Sequence, residues 1–118
     1  MRQPPSIDSF GAGGFRVSGV WRPGSLLLLD DVPLPWRPTA LTELTVEDFA
    51  PVIEAGAAVS EFVLLGTGAT QMLPPRGVRD ALRACGLGLE FMSTEAAART
   101  YGVLISEGRR VAVALIAV

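Results

Sequence analysis

The chain has 118 residues, 49% hydrophobic and 19% charged, with a net charge of −2, which is the composition of one globular domain and not of a disordered chain. It contains no histidine, no lysine and no asparagine, so the usual neutral-pH general base, the Ser-His and Cys-His nucleophile systems, Schiff-base chemistry and a P-loop lysine are all excluded. A single cysteine, Cys85, closes no internal disulfide and, without histidine, no cysteine–histidine metal site.

In chain order, residues 1–6 show no apolar stretch behind their arginine and read as a mobile N-terminus, with a single α/β domain over 7–118. Ile7–Phe10 and Phe15–Ser18 read as short strands, the second alternating cleanly, and Gly11–Gly14 as the turn between them. Gly19 breaks the next run, and Trp21–Gly24 reads as a further turn. Ser25–Leu29 is a continuous apolar run, the pattern of a strand covered on both faces. Residues 32–44 hold Pro33, Pro35 and Pro38 and read as mostly irregular, with extended backbone as the alternative.

Thr45 caps a helix whose first turn carries Glu47 and Asp48, suited to the positive end of the helix dipole. Pro51 puts the regular part from Ala50, and Gly56 stops it. Glu61–Leu65 reads as a strand, ended by Gly66-Thr67-Gly68. The next helix spans Pro75–Cys85, with Val78, Ala81, Leu82 and Cys85 on its apolar face and Arg76, Arg79, Asp80 and Arg83 on another. On that stripe Cys85 is expected to be a buried, inert thiol. Leu87–Met92 is a short strand. Ser93 or Thr94 caps the last helix, which runs to Ser106 with Ala97, Tyr101, Leu104 and Ile105 as its apolar face, and Arg109–Val118 is the final strand. Its apolar run, Val111–Val118, is 8 residues long, against about 20 for a membrane helix. The alternation in the second half predicts a largely parallel sheet with covering helices, to which the first half adds antiparallel strands.

Two places in this pattern could carry a ligand or partner. Gly66, Thr67 and Gly68 lie where a buried strand hands over to a loop, the edge at which open α/β sheets bind ligands. Their backbone N–H groups and the Thr67 hydroxyl could receive an anion, or the glycines could simply permit a tight turn. On the last helix, Arg99 points away from the face that Tyr101 occupies. It is the cation best placed for a carboxylate or phosphate, or it forms an ordinary i,i+4 pair with Glu95. Gly11-x-Gly13-Gly14 is only a partial dinucleotide pattern, and Phe15–Ser18 beyond it alternate like a strand, so it is read as a turn.

The combination of Leu65-Gly66-Thr67-Gly68, the Pro74-Pro75 helix start, Ser93 to Leu104 and Glu107-Gly108-Arg109-Arg110-Val111 resembles domain-of-unknown-function family 498. That family includes a mitochondrial respiratory complex I assembly factor and uncharacterised bacterial proteins. The Ile7–Trp21 region, with Phe10, Gly14-Phe15 and Gly19, is similar as well. The resemblance implies a three-layer α/β domain with a mixed central sheet and extra N-terminal antiparallel strands, no established enzymatic activity, and action through protein contacts. Gly66, Thr67, Gly68, Arg99, Thr100 and Tyr101 match the family pattern. Ser93, Ala98 and Gly102 stand where the family usually has an acid, a cysteine and an asparagine.

These readings lead to a non-catalytic, cytoplasmic domain without cofactor or metal. It would bind an unidentified protein partner and assist assembly of a membrane-associated, respiratory-type complex. Neither nucleic acid nor membrane insertion is expected, and a monomer or weak dimer fits. The alternative is a small-molecule or anion-binding domain, a cryptic enzyme among the options, using one pocket shared by Thr67, Arg99 and Thr100.

Overall fold

The apolar runs of the chain become one five-stranded sheet, seen in a computed structural model that describes residues 2–118. Its strands are β4 (Ser25–Leu29), β5 (Val32–Trp36), β6 (Phe62–Gly66), β7 (Gly88–Met92) and β8 (Val111–Leu115), in the order β5-β4-β8-β6-β7. β7, β6 and β8 run parallel, whereas β4 is antiparallel to β8 and β5 to β4. The sheet is therefore mixed. A second, three-stranded antiparallel sheet is made by β1 (Ile7–Gly11), β2 (Gly14–Val17) and β3 (Val20–Pro23). Helices α1 (Ala50–Ala55), α2 (Arg76–Ala84) and α3 (Thr94–Ser106) complete the fold, with short 3-10 turns over Leu41–Glu43 and Val46–Phe49.

Side chains alternate across a strand, and here the alternation sorts the core into two layers. Leu27, Val63, Leu65, Ala112, Ala114 and Ile116 face one side and meet Phe49, Val52, Val78 and Leu82. Leu26, Leu28, Leu64, Val113 and Leu115 face the other and meet Phe15, Val17, Ala97, Tyr101 and Leu104. The central sheet thus lies between α1 and α2 on one face and α3 with the small sheet on the other. Burial on both faces is why Ser25–Leu29 and Val111–Leu115 read as unbroken apolar runs.

One expectation fails in the N-terminal half. Val20–Pro23 is a strand and not a turn, paired with β2 from Val17↔Val20 to Gly14↔Pro23. The bends fall beside it, at Ser18-Gly19 and at Gly24, all three in positive φ. Val32–Trp36 is also a strand despite its prolines. Pro33 and Pro35 lie two apart, opposite Leu28 and Leu26, on an edge where a missing N–H is cheap because it would face away from the ladder.

The Thr45 helix start appears as a 3-10 turn that passes into α1 at Ala50, with Pro51 in its first turn. Asp48 Oδ2 accepts from the Thr45 N–H at 2.9 Å and from the Thr45 hydroxyl at 3.1 Å, satisfying the entry to the turn. Cys85 is exposed and not buried. α2 ends at Ala84, and Cys85 already has the cap geometry that leads to Gly86, so the apolar stripe stops before it. Within the stretch 1–6, Arg2 pairs with Asp31 at 2.8 Å and Pro5 is buried.

Candidate functional site

The carboxyl ends of the three parallel strands converge on one side chain. β6 runs into Gly66-Thr67-Gly68, β7 into Ser93-Thr94 and β8 into Ile116. Thr94 is fully buried. Its hydroxyl donates to the Ile116 carbonyl at 2.7 Å and accepts from the Gly68 N–H at 3.0 Å, while its own N–H donates to the Gly68 carbonyl at 2.8 Å. The Ile116 N–H donates to the Gly66 carbonyl at 3.0 Å. A Cβ on Gly66 would come within 2.9 Å of the Thr94 Cα and 2.8 Å of Leu115 Cδ2. The first glycine therefore admits the α3 N-terminus to close packing, and the second, at φ +110°, turns the chain.

Thr67 is buried and its polar atoms are spoken for. Its N–H donates to the Met92 carbonyl at 2.8 Å, its hydroxyl donates to the Thr70 carbonyl at 2.6 Å, and the Met72 N–H donates to that hydroxyl at 3.2 Å. At the start of α3 the Ala96 N–H donates to the Ser93 hydroxyl at 3.2 Å. The turn is consequently not an open nest of donors: the N–H groups of Thr67, Gly68, Thr94 and Ala96 all have acceptors within the protein. The anion role expected of this turn finds no free donors at those positions.

The α3 residues point elsewhere. Arg99 lies on the exposed side, where it pairs with Glu95 at 2.8 Å across one turn. Thr100 is half-buried and its hydroxyl donates to Met92 Sδ at 3.4 Å. Tyr101 is buried on the opposite face, and its hydroxyl donates to the Pro5 carbonyl at 2.6 Å. Burial pushes the phenol pKa up to about 12, so it stays neutral at any physiological pH.

Two concave surfaces stand out. A cleft of about 440 Å³ beside the Gly66–Gly68 turn is lined by Thr67, Gly68 and Thr70, by Thr39–Thr42 and by Ile116–Val118. It does not include Arg99, Thr100 or Tyr101, so the single pocket expected for Thr67, Arg99 and Thr100 is not formed. The second is a groove of about 340 Å³ between β3 and the β4–β5 edge, lined by Val20–Pro23, Ser25, Leu26, Leu34 and Pro35. Val20 is 56% and Trp21 42% exposed at its rim. Arg22 Nε is buried there without a hydrogen-bond acceptor among the described residues. The sequence signal for this groove is the pairing of two large apolar residues between breaks at Gly19 and Gly24. Pro23-Gly24 is the stronger local punctuation and points to a turn instead.

The model of a family described as protein of unknown function (DUF498/DUF598) matches residues 7–116. An uncharacterised protein of Rhodobacter capsulatus is 39% identical over 110 residues, covering 93% of this chain and 82% of that protein. The mouse NADH dehydrogenase [ubiquinone] 1 alpha subcomplex assembly factor 3 is 32% identical over 111 residues, and the chain spans 59% of its length. Among solved structures, one described as an outer membrane protein from Bartonella henselae superposes with a TM-score of 0.88 at 35% identity, covering 97% of this chain and 95% of that one. A Rhodopseudomonas palustris protein solved by NMR gives 0.82 at 37%, covering 100% and 90%. Among the described residues here, no helix is long and apolar enough to cross a membrane.

Proposed function

The chain belongs to the DUF498/DUF598 family, and from that membership we propose that it is a non-catalytic, cytoplasmic protein-binding domain that assists assembly of a membrane-associated, respiratory-type complex. The observation that carries this reading is the groove between β3 and β5. A large apolar rim with polar neighbours is the usual mark of a partner surface on a small domain, and Trp is a frequent anchor residue in such contacts. The mammalian relatives named as assembly factors support the same reading. So does a residue set without histidine or lysine, which leaves little material for acid–base or covalent catalysis.

The test is capture from native extract with the wild-type chain and with Val20→Ser/Trp21→Ser. A partner retained reproducibly by the wild type and lost by the double variant is the expected result. Absence of any reproducible partner, or equal capture by the variant, overturns the proposal.

A second reading places a small molecule in the cleft beside Thr67 and Gly68, at the sheet edge where α/β folds bind ligands. Its lining carries no charged side chain, which favours an uncharged ligand over an anion. A thermal-shift panel that stabilises the wild type but not Thr70→Trp would support it.

A further inference from the structure

The two outer edges of the central sheet are treated differently. The β5 edge is blunted by Pro33 and Pro35, the usual protection against strand addition. The β7 edge has no proline, and among the described residues β7 pairs only with β6. The Thr67 N–H donates to the Met92 carbonyl, so Met92 and, by alternation, Glu90 turn their backbone groups towards β6. Leu89 and Phe91 turn theirs outwards. The Phe91 carbonyl confirms this direction, since it accepts a long, exposed bond of 3.3 Å from the Gln71 side chain.

Beside this edge runs a shallow groove of about 200 Å³, lined by Leu87, Gly88, Leu89 and Phe91 and by Arg79 and Arg83 of α2. Arg76, Arg79 and Arg83 face a single acid on that helix, Asp80, which stands 3.7 Å from both Arg76 and Arg83. The side chains of Arg76 and Arg83 are 85% and 77% exposed. The helix therefore presents a net positive face in a chain whose total charge is −2. Glu90 lies on the other face of the strand, because Leu89 and Phe91 pack with the α2 layer and Met92 with the α3 layer.

We propose that β7 accepts an extended acidic segment of a partner protein as a sixth strand, its carboxylates at alternate positions meeting Arg79 and Arg83 over the apolar floor of Leu89 and Phe91. Main-chain bonds to Leu89 and Phe91 supply the affinity and the arginines supply the choice of sequence. The site is separate from the Trp21 groove and stands whether or not that groove holds a partner.

The probe is an eight-residue peptide of alternating valine and glutamate, titrated into the isotope-labelled protein and followed by amide NMR, with a valine–lysine twin as control. The expected result is movement of the Leu89 and Phe91 amides, weakening as salt rises, and roughly tenfold weaker binding for Arg79→Glu/Arg83→Glu. Arg83→Gln, exposed and conservative, keeps the test valid if the double reversal unfolds, and should weaken binding about threefold. No movement at millimolar peptide, equal binding of the lysine twin, or movement confined to Val20 and Trp21 overturns the proposal.

Discussion

Gly68 and Thr94 bond each other twice, the Thr94 N–H donating to the Gly68 carbonyl at 2.8 Å and the Gly68 N–H donating to the Thr94 hydroxyl at 3.0 Å. Twenty-six residues apart in sequence, they tie the end of β6 to the start of α3. The same hydroxyl reaches Ile116 beyond β8, so the carboxyl edge of the parallel strands is locked by one buried side chain.

Thr94→Val keeps the shape and removes the hydroxyl. It leaves the Gly68 N–H and the Ile116 carbonyl buried and unpaired, and should cost about 2–3 kcal/mol by chemical denaturation. Thr94→Ser keeps the hydroxyl and should cost under about half of that. Equal losses for the two would show that the methyl, and not the hydroxyl, matters.

Tyr101 is the chain's one tyrosine, so its ionisation can be read directly by ultraviolet absorbance. Its pKa is raised to about 12 by burial, and a raised phenol contributes stability that is whole below the unfolded value of about 10 and lost as pH climbs from there towards 12. The native protein should show no tyrosinate signal at pH 10.5, and its melting temperature should fall between about pH 10 and 12. Tyr101→Phe frees the Pro5 carbonyl and should cost about 1 kcal/mol, with faster proteolysis ahead of Ile7.

Asp48 is held below the usual carboxylate range, first by the hydrogen bonds of the Arg37 guanidinium at 2.7 and 2.8 Å, then by Thr45, against the opposing effect of burial. A depressed carboxyl stabilises above its unfolded value, about 3.9, and that contribution disappears as pH falls through the lower folded value. Thermal melts should therefore decline below about pH 4. Asp48→Asn should flatten the decline and cost about 1–3 kcal/mol at pH 7. An unchanged acid limb in the variant would assign the decline to other carboxylates.

The Trp21 ring lies across Gly14, where a Cβ would come within 2.7 Å of the ring and 2.5 Å of the Arg22 carbonyl oxygen. Gly14→Ala must push the indole or the β3 backbone aside. A cost of about 1–3 kcal/mol and a changed tryptophan emission are expected, Trp36 being buried and anchored to the Asp48 carbonyl at 2.8 Å.

Cys85 should react with a thiol reagent in the folded protein as fast as a free thiol, because it is exposed at the end of α2. Protection of more than about tenfold, relative to the unfolded chain, would contradict its place outside the apolar stripe.

Strands buried on both faces were the most legible part of the fold, because Ser25–Leu29 and Val111–Leu115 need no partner to look apolar throughout. Helices α2 and α3 were legible from their stripes and from Ser93, whose hydroxyl takes the Ala96 N–H. β3 and β5 were not, since Pro23, Pro33 and Pro35 speak locally for turns and only an edge position makes them tolerable in a strand. Of the candidate residues, Gly66 and Gly68 were placed correctly at the sheet edge. Their local pattern could not show that Thr94 would already occupy their donors, because that bond joins residues brought together by the β6–β7 pairing.

The sequence by itself determined the α/β layering and the exclusion of histidine- and lysine-based chemistry, since these depend on periodicities within single elements and on composition, and it pointed to the family through the resemblance of its motifs. Tertiary structure alone decided which sheet edge is sealed by proline and which is open beside arginines, that Arg99 and Thr67 do not share a pocket, and that Val20 and Trp21 border a groove. Each of these is a relation between elements distant in sequence, set by strand order and helix packing, and no local pattern carries it.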